Sequence, residues 1–299
     1  MTNHYYDLVT DFYEYGWGDS FHFATQDKGE SREHSFAKHE YRLALKLGIQ
    51  KGETVLDIGC GIGGPARSIA AFSECKVIGL NCNEYQIKRA EFRTRRIGLQ
   101  NQCSFVKGDF NDIPFPCETF KRVYAVEATC HAVTLEQVYS EVFRVLKPGG
   151  VFANYEWIVT DKFNPNDPHH LKIKDDILEG DALPELRTAA EIVSTLRRVG
   201  FEVQEAEDWA LKSQIPWWSE LSSTNWSLTN FKSTPAGRWM THLALVGMEM
   251  VGLATKGSVK THHMLCKGAD ACALGGKEGI FSPMLLLVAR KPTVVPHTP

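Results

Sequence analysis

From Thr54 onward, short apolar runs rich in β-branched residues alternate with stretches whose apolar positions recur at helical spacing. The runs predict strands at 54–58, 76–80, 103–107, 122–127, 151–157 and 201–205, with helices between them at 66–72, 84–97, 135–146 and 188–199. Lys147-Pro148-Gly149-Gly150 stops one helix and turns into the next strand, because proline and glycine do not continue a helix cheaply. A last apolar run at 284–289 predicts a seventh strand. This alternation predicts an α/β fold with a mostly parallel sheet covered on both faces.

The sixth and seventh strands are separated by about seventy residues, a length that is usually functional rather than a plain turn. The connection carries Trp217, Trp218, Trp226 and Trp239 and a helix near 239–253. That helix is apolar on most sides, so it should pack against something: the core, or a greasy substrate pocket. The tail at 292–299 is proline-rich and expected to fray.

At 299 residues and 43% hydrophobic, the chain holds one large domain with insertions. A net charge of -3 gives no footprint for a nucleic acid. The one dense basic run (Lys88, Arg89, Arg93, Arg95, Arg96) lies on a predicted helix and reads as a solvated face. Eight cysteines without a C-x-x-C pair read as reduced thiols in a cytosolic setting, and no metal site is expected. The N-terminus has no signal core and no run reaches the length of a membrane span, so a soluble or peripheral protein is expected.

The chemistry starts at Val55–Gly64, VLDIGCGIGG, a strand ending in an acid and followed by a glycine-dense turn. Such a turn brings backbone close to a small ligand, whose space any side chain would occupy. Gly59, Gly61 and Gly64 also satisfy the dinucleotide pattern G-x-G-x-x-G. A dinucleotide fold puts an acid at the end of the second strand, where this chain has Asn81; asparagine can also bond ribose hydroxyls, so two further features decide. Asp57 suits the ammonium of an amino-acid cofactor and would repel a pyrophosphate. After the third strand, Asp109 can accept from an adenine amino group and Phe110 can stack on the base. Asp57, the glycines, Asn81, Gly108-Asp109 and the KPGG turn together resemble the class I S-adenosylmethionine methyltransferases. The resemblance implies a Rossmann-like sheet of seven strands. It also implies contacts from Asp57, Gly59, Cys60, Gly61 and Gly63 to the methionine moiety, from Asn81 to the ribose, and from Asp109 with Phe110 to the adenine.

Three segments hold no cofactor and are unusual in composition: Tyr13-Glu14-Tyr15-Gly16-Trp17-Gly18 running into Phe21-His22-Phe23, then Glu127 to His131, then Tyr155-Glu156-Trp157. The last two stand at carboxyl ends of strands, where open α/β sheets bind ligands. Unpaired carboxylates buried there would be costly, which sets Glu127 and Glu156 apart from ordinary caps. YYDLVTDFYEYGWGDSFHFA, GLNCNEYQ, VEATCHA, YEWIVTDKF, IPWW and FSPMLLLVARKP resemble the sterol 24-C-methyltransferases over nearly the whole chain, Asn3 to Pro292.

That resemblance implies methyl transfer to carbon 24 of a sterol with a 24,25 double bond. The carbocation that results would face the rings of Tyr13, Tyr15, Trp17 and Tyr155. Glu14, Glu127 or His131 would supply negative potential or take the proton. His22 would either transfer a proton or fix the first segment by a hydrogen bond. The organisation implied is a substrate segment at 1–45, a cofactor core at 46–208, a sterol-binding insertion at 209–280, and a last strand with tail at 281–299. A sterol partner, a possible homo-oligomer, and cytoplasmic residence peripheral at the endoplasmic reticulum complete the expectation. Thr255 stands where the family commonly has proline, and the insertion matches more loosely than the core. Two other readings remain open: a methyltransferase of another lipid or prenyl side chain, and a sterol-binding protein without catalysis.

Overall fold

The computed structural model describes residues 10, 18–221 and 234–293. Its sheet runs in the order β3-β2-β1-β4-β5-β8-β7. The strands are β1 (Thr54–Ile58), β2 (Lys76–Asn81), β3 (Cys103–Lys107), β4 (Phe120–Val126), β5 (Leu146–Val159), β7 (Glu202–Asp208) and β8 (Phe281–Arg290). The first five are parallel, and β8 runs antiparallel between β5 and β7. A two-residue strand, β6 (Arg187–Thr188), pairs with the end of β5 and makes an eighth. β8 is buried along all but its last residue, as a strand paired on both edges requires. The Lys147-Pro148-Gly149-Gly150 turn sits inside β5 as an outward bulge: Phe120 faces Leu146, and the next registered pair is Arg122 with Val151.

Eight helices are described: α1 (Arg32–Leu47), α2 (Gly64–Ser73), α3 (Glu84–Arg96), α4 (Leu135–Val145), α5 (Pro168–Gly180), α6 (Ala189–Val199), α7 (Pro235–Met250) and α8 (Ser258–Glu278). One sheet face packs Val55, Val77, Tyr124 and Tyr155 against Leu43 and Leu47 of α1 and Ala66 and Ile69 of α2. The other packs Ile58, Val123 and Phe152 against Val138 and Val142 of α4 and Ile192 and Leu196 of α6. A third cluster joins Ile173 and Ile177 of α5, Ala271 and Cys272 of α8, Trp217, Phe281 and Cys130. There α5 and α8 cross so closely that a Cβ on Gly180 would lie 2.3 Å from the Cα of Gly268.

The sequence gives no helix at α1, α5 or α8. In α1 the buried positions include Ser35, His39 and Glu40, so the inward face carries polar residues and hides its period. In α8 the buried face is Ser258, Thr261, His262, Gly268, Ala271, Cys272 and Gly275, mostly small or polar residues that leave no apolar stripe. The helix near Trp239, α7, packs against α8 with Leu245 buried, and leaves Trp239, Met240 and Leu243 exposed.

Candidate active site at the carboxyl ends of β1 and β4

Chain order reverses between β1 and β4, and the crevice at such a switch point is where open α/β sheets take ligands. Gly59, Gly61 and Gly63 all have positive φ, a backbone that favours glycine. The expectation that their side chains would fill ligand space needs correcting. A Cβ on Gly59 would meet the Cβ of Ala128 at 2.4 Å, and one on Gly63 would meet the Phe105 ring at 2.7 Å. One on Gly64 would meet the Asp19 carbonyl oxygen at 2.0 Å, whereas Gly61 faces open space. Most of the loop is therefore glycine because the protein's own chain closes on it. Cys60 is buried, with its Sγ near Gly79.

Asp57 is 1% exposed, and its Oδ2 has no hydrogen-bond partner among the described residues. Burial raises its carboxyl to about 8, against the pull of the Tyr124 hydroxyl, and the Glu40 charge raises it further. An orphaned buried carboxyl oxygen beside an open glycine fits a small ligand carrying a cation. Asn81 donates its amide N–H to Gln86 Oε1 at 2.7 Å, and Gln86 reaches Thr10 Oγ1 at 3.1 Å. Asp109 Oδ1 accepts the backbone and side-chain N–H groups of Asn111, both at 2.8 Å, at the exposed rim. Phe110 is half-buried and packs against the main core.

Residues 18–26 form a strap across this crevice. Asp19 pairs with Arg67 at 3.0 Å and with Arg93, and Gln26 takes the Ser213 Oγ through its N–H at 2.9 Å. Between these anchors His22 is buried, donating to Phe23 O at 2.8 Å and to Glu40 Oε1 at 3.0 Å. Burial opposes its charge, but the hydrogen bond and charge of Glu40 outweigh it and raise its pKa. Glu40 is also buried, yet its bond to His22 holds it below the ordinary carboxylate value. His22 thus ties the strap to α1 through Glu40.

Glu127 follows β4 directly, in the left-handed region at φ 51, a strained conformation for a residue with a side chain. Its Oε1 accepts the Phe23 N–H at 2.7 Å and its Oε2 accepts the Trp157 Nε1–H at 2.8 Å. Burial raises its carboxyl to about 8, with the His22 charge pulling it down. Around it Phe23, Trp157, Trp217 and Phe281 form a ring-to-ring chain with centroids 4.9 to 5.9 Å apart. Glu156 lies beneath, 1% exposed, taking the Thr129 hydroxyl and held by burial at about 7.

Tyr155 does not join this group. Its side chain is fully buried under α1 and its ring stacks on His39 at 3.6 Å, so the π face expected of it is covered by another ring. His131 lies against the backbone of Ala182, and burial lowers its pKa to about 4, so it is neutral at physiological pH. Tyr13, Glu14, Tyr15 and Trp17 lie outside the described residues. Two acids escaped the sequence reading: buried Glu40, which holds His22, and Asp181, at the C-terminal end of α5. The Asp181 carboxyl, raised by burial to about 7, takes the Cys272 thiol at 3.7 Å. Only its place in Gly180-Asp181-Ala182, between a helix end and a strained turn, could have signalled it.

Residues 56–154 match the methyltransferase domain family, and residues 228–293 match the sterol methyltransferase C-terminal family. The chain is 49% identical to a cycloartenol-C-24-methyltransferase of Arabidopsis thaliana over 98% of its own length and 87% of that protein's. It is 48% identical to a sterol 24-C-methyltransferase of Saccharomyces cerevisiae, over 97% of this chain and 78% of that one. Among solved structures, the cyclopropane synthase MmaA2 of Mycobacterium tuberculosis superposes with a TM-score of 0.71 at 17% identity, covering 95% of each chain. A geranyl diphosphate methyltransferase in complex with GPP and sinefungin gives 0.66 at 17% identity, covering 95% of this chain and 92% of that one. These two show the fold. Sequence identity near one half along almost the whole length carries more: the chain belongs to the sterol 24-C-methyltransferase family.

Proposed function

We propose that this protein transfers the methyl group of S-adenosylmethionine to carbon 24 of a sterol whose side chain carries a 24,25 double bond. The observation that carries the reading is Glu127, a carboxyl held between the strap and the sheet, among four aromatic rings, on the loop that touches the glycine turn through Ala128. Bound at the glycine turn, S-adenosylmethionine supplies an electrophilic methyl. Asp57 would hold its ammonium group, with Gly59, Cys60, Gly61 and Gly63 along the methionine, Asn81 at the ribose, and Asp109 and Phe110 at the adenine.

An alkene attacks such a methyl with its own π electrons, so no residue has to activate a hydroxyl or amine. The chain has three tasks instead: exclude water, face a cation, and take one proton after the hydride shift. Phe23, Trp157, Trp217 and Phe281 suit the first two, together with Tyr13, Tyr15 and Trp17 of the first segment. Glu127 suits the third in its ionised form, because a carboxylate whose acid has a pKa near 8 is a stronger base than an ordinary one. Glu14, Glu156 and Asp181 add negative potential, and His22 holds the strap. Segments 1–45 and 209–280 would then form the sterol side and 46–208 the donor side.

The test is transfer of labelled methyl from S-adenosylmethionine to cycloartenol, lanosterol and zymosterol, beside prenyl and other lipid acceptors. Labelled 24-alkyl sterols are expected. Turnover of another lipid with none of any sterol would favour the second reading, and binding without transfer would favour a non-catalytic protein. A membrane-dissolved substrate places the working enzyme peripherally on a bilayer, which for eukaryotic sterol synthesis is that of the endoplasmic reticulum. No helix among the described residues is long and apolar enough to cross one.

A further inference from the structure

Helix α7 is inside out for a surface helix. Its two formally charged residues turn toward α8: Arg238 pairs with Asp270 at 2.7 Å, and Glu249 accepts the Val259 N–H at 2.8 Å. Its one histidine, His242, lies 4.9 Å from the His263 ring of α8. The opposite face is uncharged. Trp239, Met240, Leu243 and Met250 recur at helical spacing along it, and Val251 and Leu253 extend it through the following turn. They are exposed by 63, 56, 47, 82, 68 and 80% respectively. A Cβ on Gly247, on the same face, would have nothing within 4 Å. An uncovered apolar face of this extent marks an interaction site.

We infer that this face of α7 and its following turn lies on a lipid bilayer and is the surface by which the protein reaches its membrane-dissolved substrate. Two observations select a bilayer. No carboxylate stands on the face, and the first charged residues beyond it are Lys256 and Lys260, both exposed, which suits anionic headgroups at the rim. The face is also backed by α8, whose Cys272 touches Asp181 and whose Gly276 packs on Trp217 and Trp218, so the bilayer side adjoins the aromatic group around Glu127. The choice of a bilayer rests on the proposed sterol substrate; the exposed face stands without it.

The experiment is flotation of the full chain with phosphatidylcholine vesicles, with and without phosphatidylserine, for the parent, the double variant Trp239→Ser/Leu243→Ser and the pair Lys256→Glu/Lys260→Glu. The serine variant is expected to lose vesicle binding by about tenfold or more. The glutamate pair should lose the preference for phosphatidylserine. Methylation of vesicle-borne sterol should fall with binding in the serine variant, by more than methylation of a sterol delivered in cyclodextrin. Equal flotation of parent and serine variant overturns the inference. So does a parent dimer, seen by light scattering, that the serine variant abolishes without any change in flotation. If the parent floats but methylates no cyclodextrin-borne sterol, the proposed reaction fails and the docking surface stands.

Discussion

Glu127 Oε1 accepts the backbone N–H of Phe23 at 2.7 Å, joining the end of β4 to a strap more than a hundred residues away in sequence. With the Trp157 indole on its other oxygen, each carboxylate oxygen holds one N–H donor. The side chain therefore has one orientation, with its remaining lone pairs for a proton.

Glu127→Gln replaces one of those acceptors with an amide NH2 that must face an N–H group. Turnover is expected to fall about 10²- to 10⁴-fold, the usual range for a lost acid–base group, with little change in cofactor affinity. Labelled-methyl kinetics beside calorimetric binding separate the two. As a base with pKa about 8, Glu127 makes the parent's turnover rise with pH through about 8, and the variant's profile should be flat there. A loss confined to cofactor binding would remove Glu127 from the chemistry.

Asp57 gives a pH signature on binding. Its carboxyl is protonated below about 8 in the protein alone, and pairing with an ammonium group requires it ionised. S-adenosylmethionine affinity should thus rise as pH rises toward 8, with release of up to one proton, measured by titration calorimetry in buffers of different ionisation enthalpy. Asp57→Asn should weaken binding and abolish the proton release; release unchanged in the variant assigns the proton elsewhere.

At Gly59 two penalties coincide, a φ of 79 and an Ala128 Cβ only 2.4 Å from where a new Cβ would stand. Gly59→Ala should lower stability by about 1–3 kcal/mol. Adding Ala128→Gly should return the steric part and leave the backbone part. Urea midpoints of the four proteins in this cycle give the split, and strict additivity would mean the two loops do not touch in solution.

Tyr155 is a core residue by its surroundings. Tyr155→Phe should cost about 1–2 kcal/mol, since the hydroxyl meets the His39 carbonyl only at 3.5 Å but also faces the Arg42 side chain. Tyr155→Leu should cost about 2–4 kcal/mol through lost stacking and a void. Turnover per folded molecule should match the parent in both. A tenfold fall in the leucine variant alone would restore its ring to the cation's side.

The central sheet was legible because β1 and β3 are apolar runs bounded by turn residues, and both strands stand at the predicted residues. Edges moved where sequence has no marker: β5 absorbs the KPGG turn as a bulge, and β4 ends before Glu127 because the chain turns left-handed there. Candidate site acids were legible because a carboxylate closing an apolar strand demands explanation. Asp181 was not, since its burial is created by Cys272 and Gly268 from a helix distant in sequence. The covering of Tyr155 was equally hidden, because His39 reaches it from a helix whose buried face is polar.

Where Gly180 rests on Gly268, α5 and α8 touch backbone to backbone, with no side chain between them to give way. Asp181 follows at once, so its carboxyl inherits a position set by the crossing of two helices. Alanine at either glycine would push the helices apart by the width of a methyl group and carry that acid with them. Two absent side chains therefore act as the gauge that sets how far a negative charge stands from the rings around Glu127.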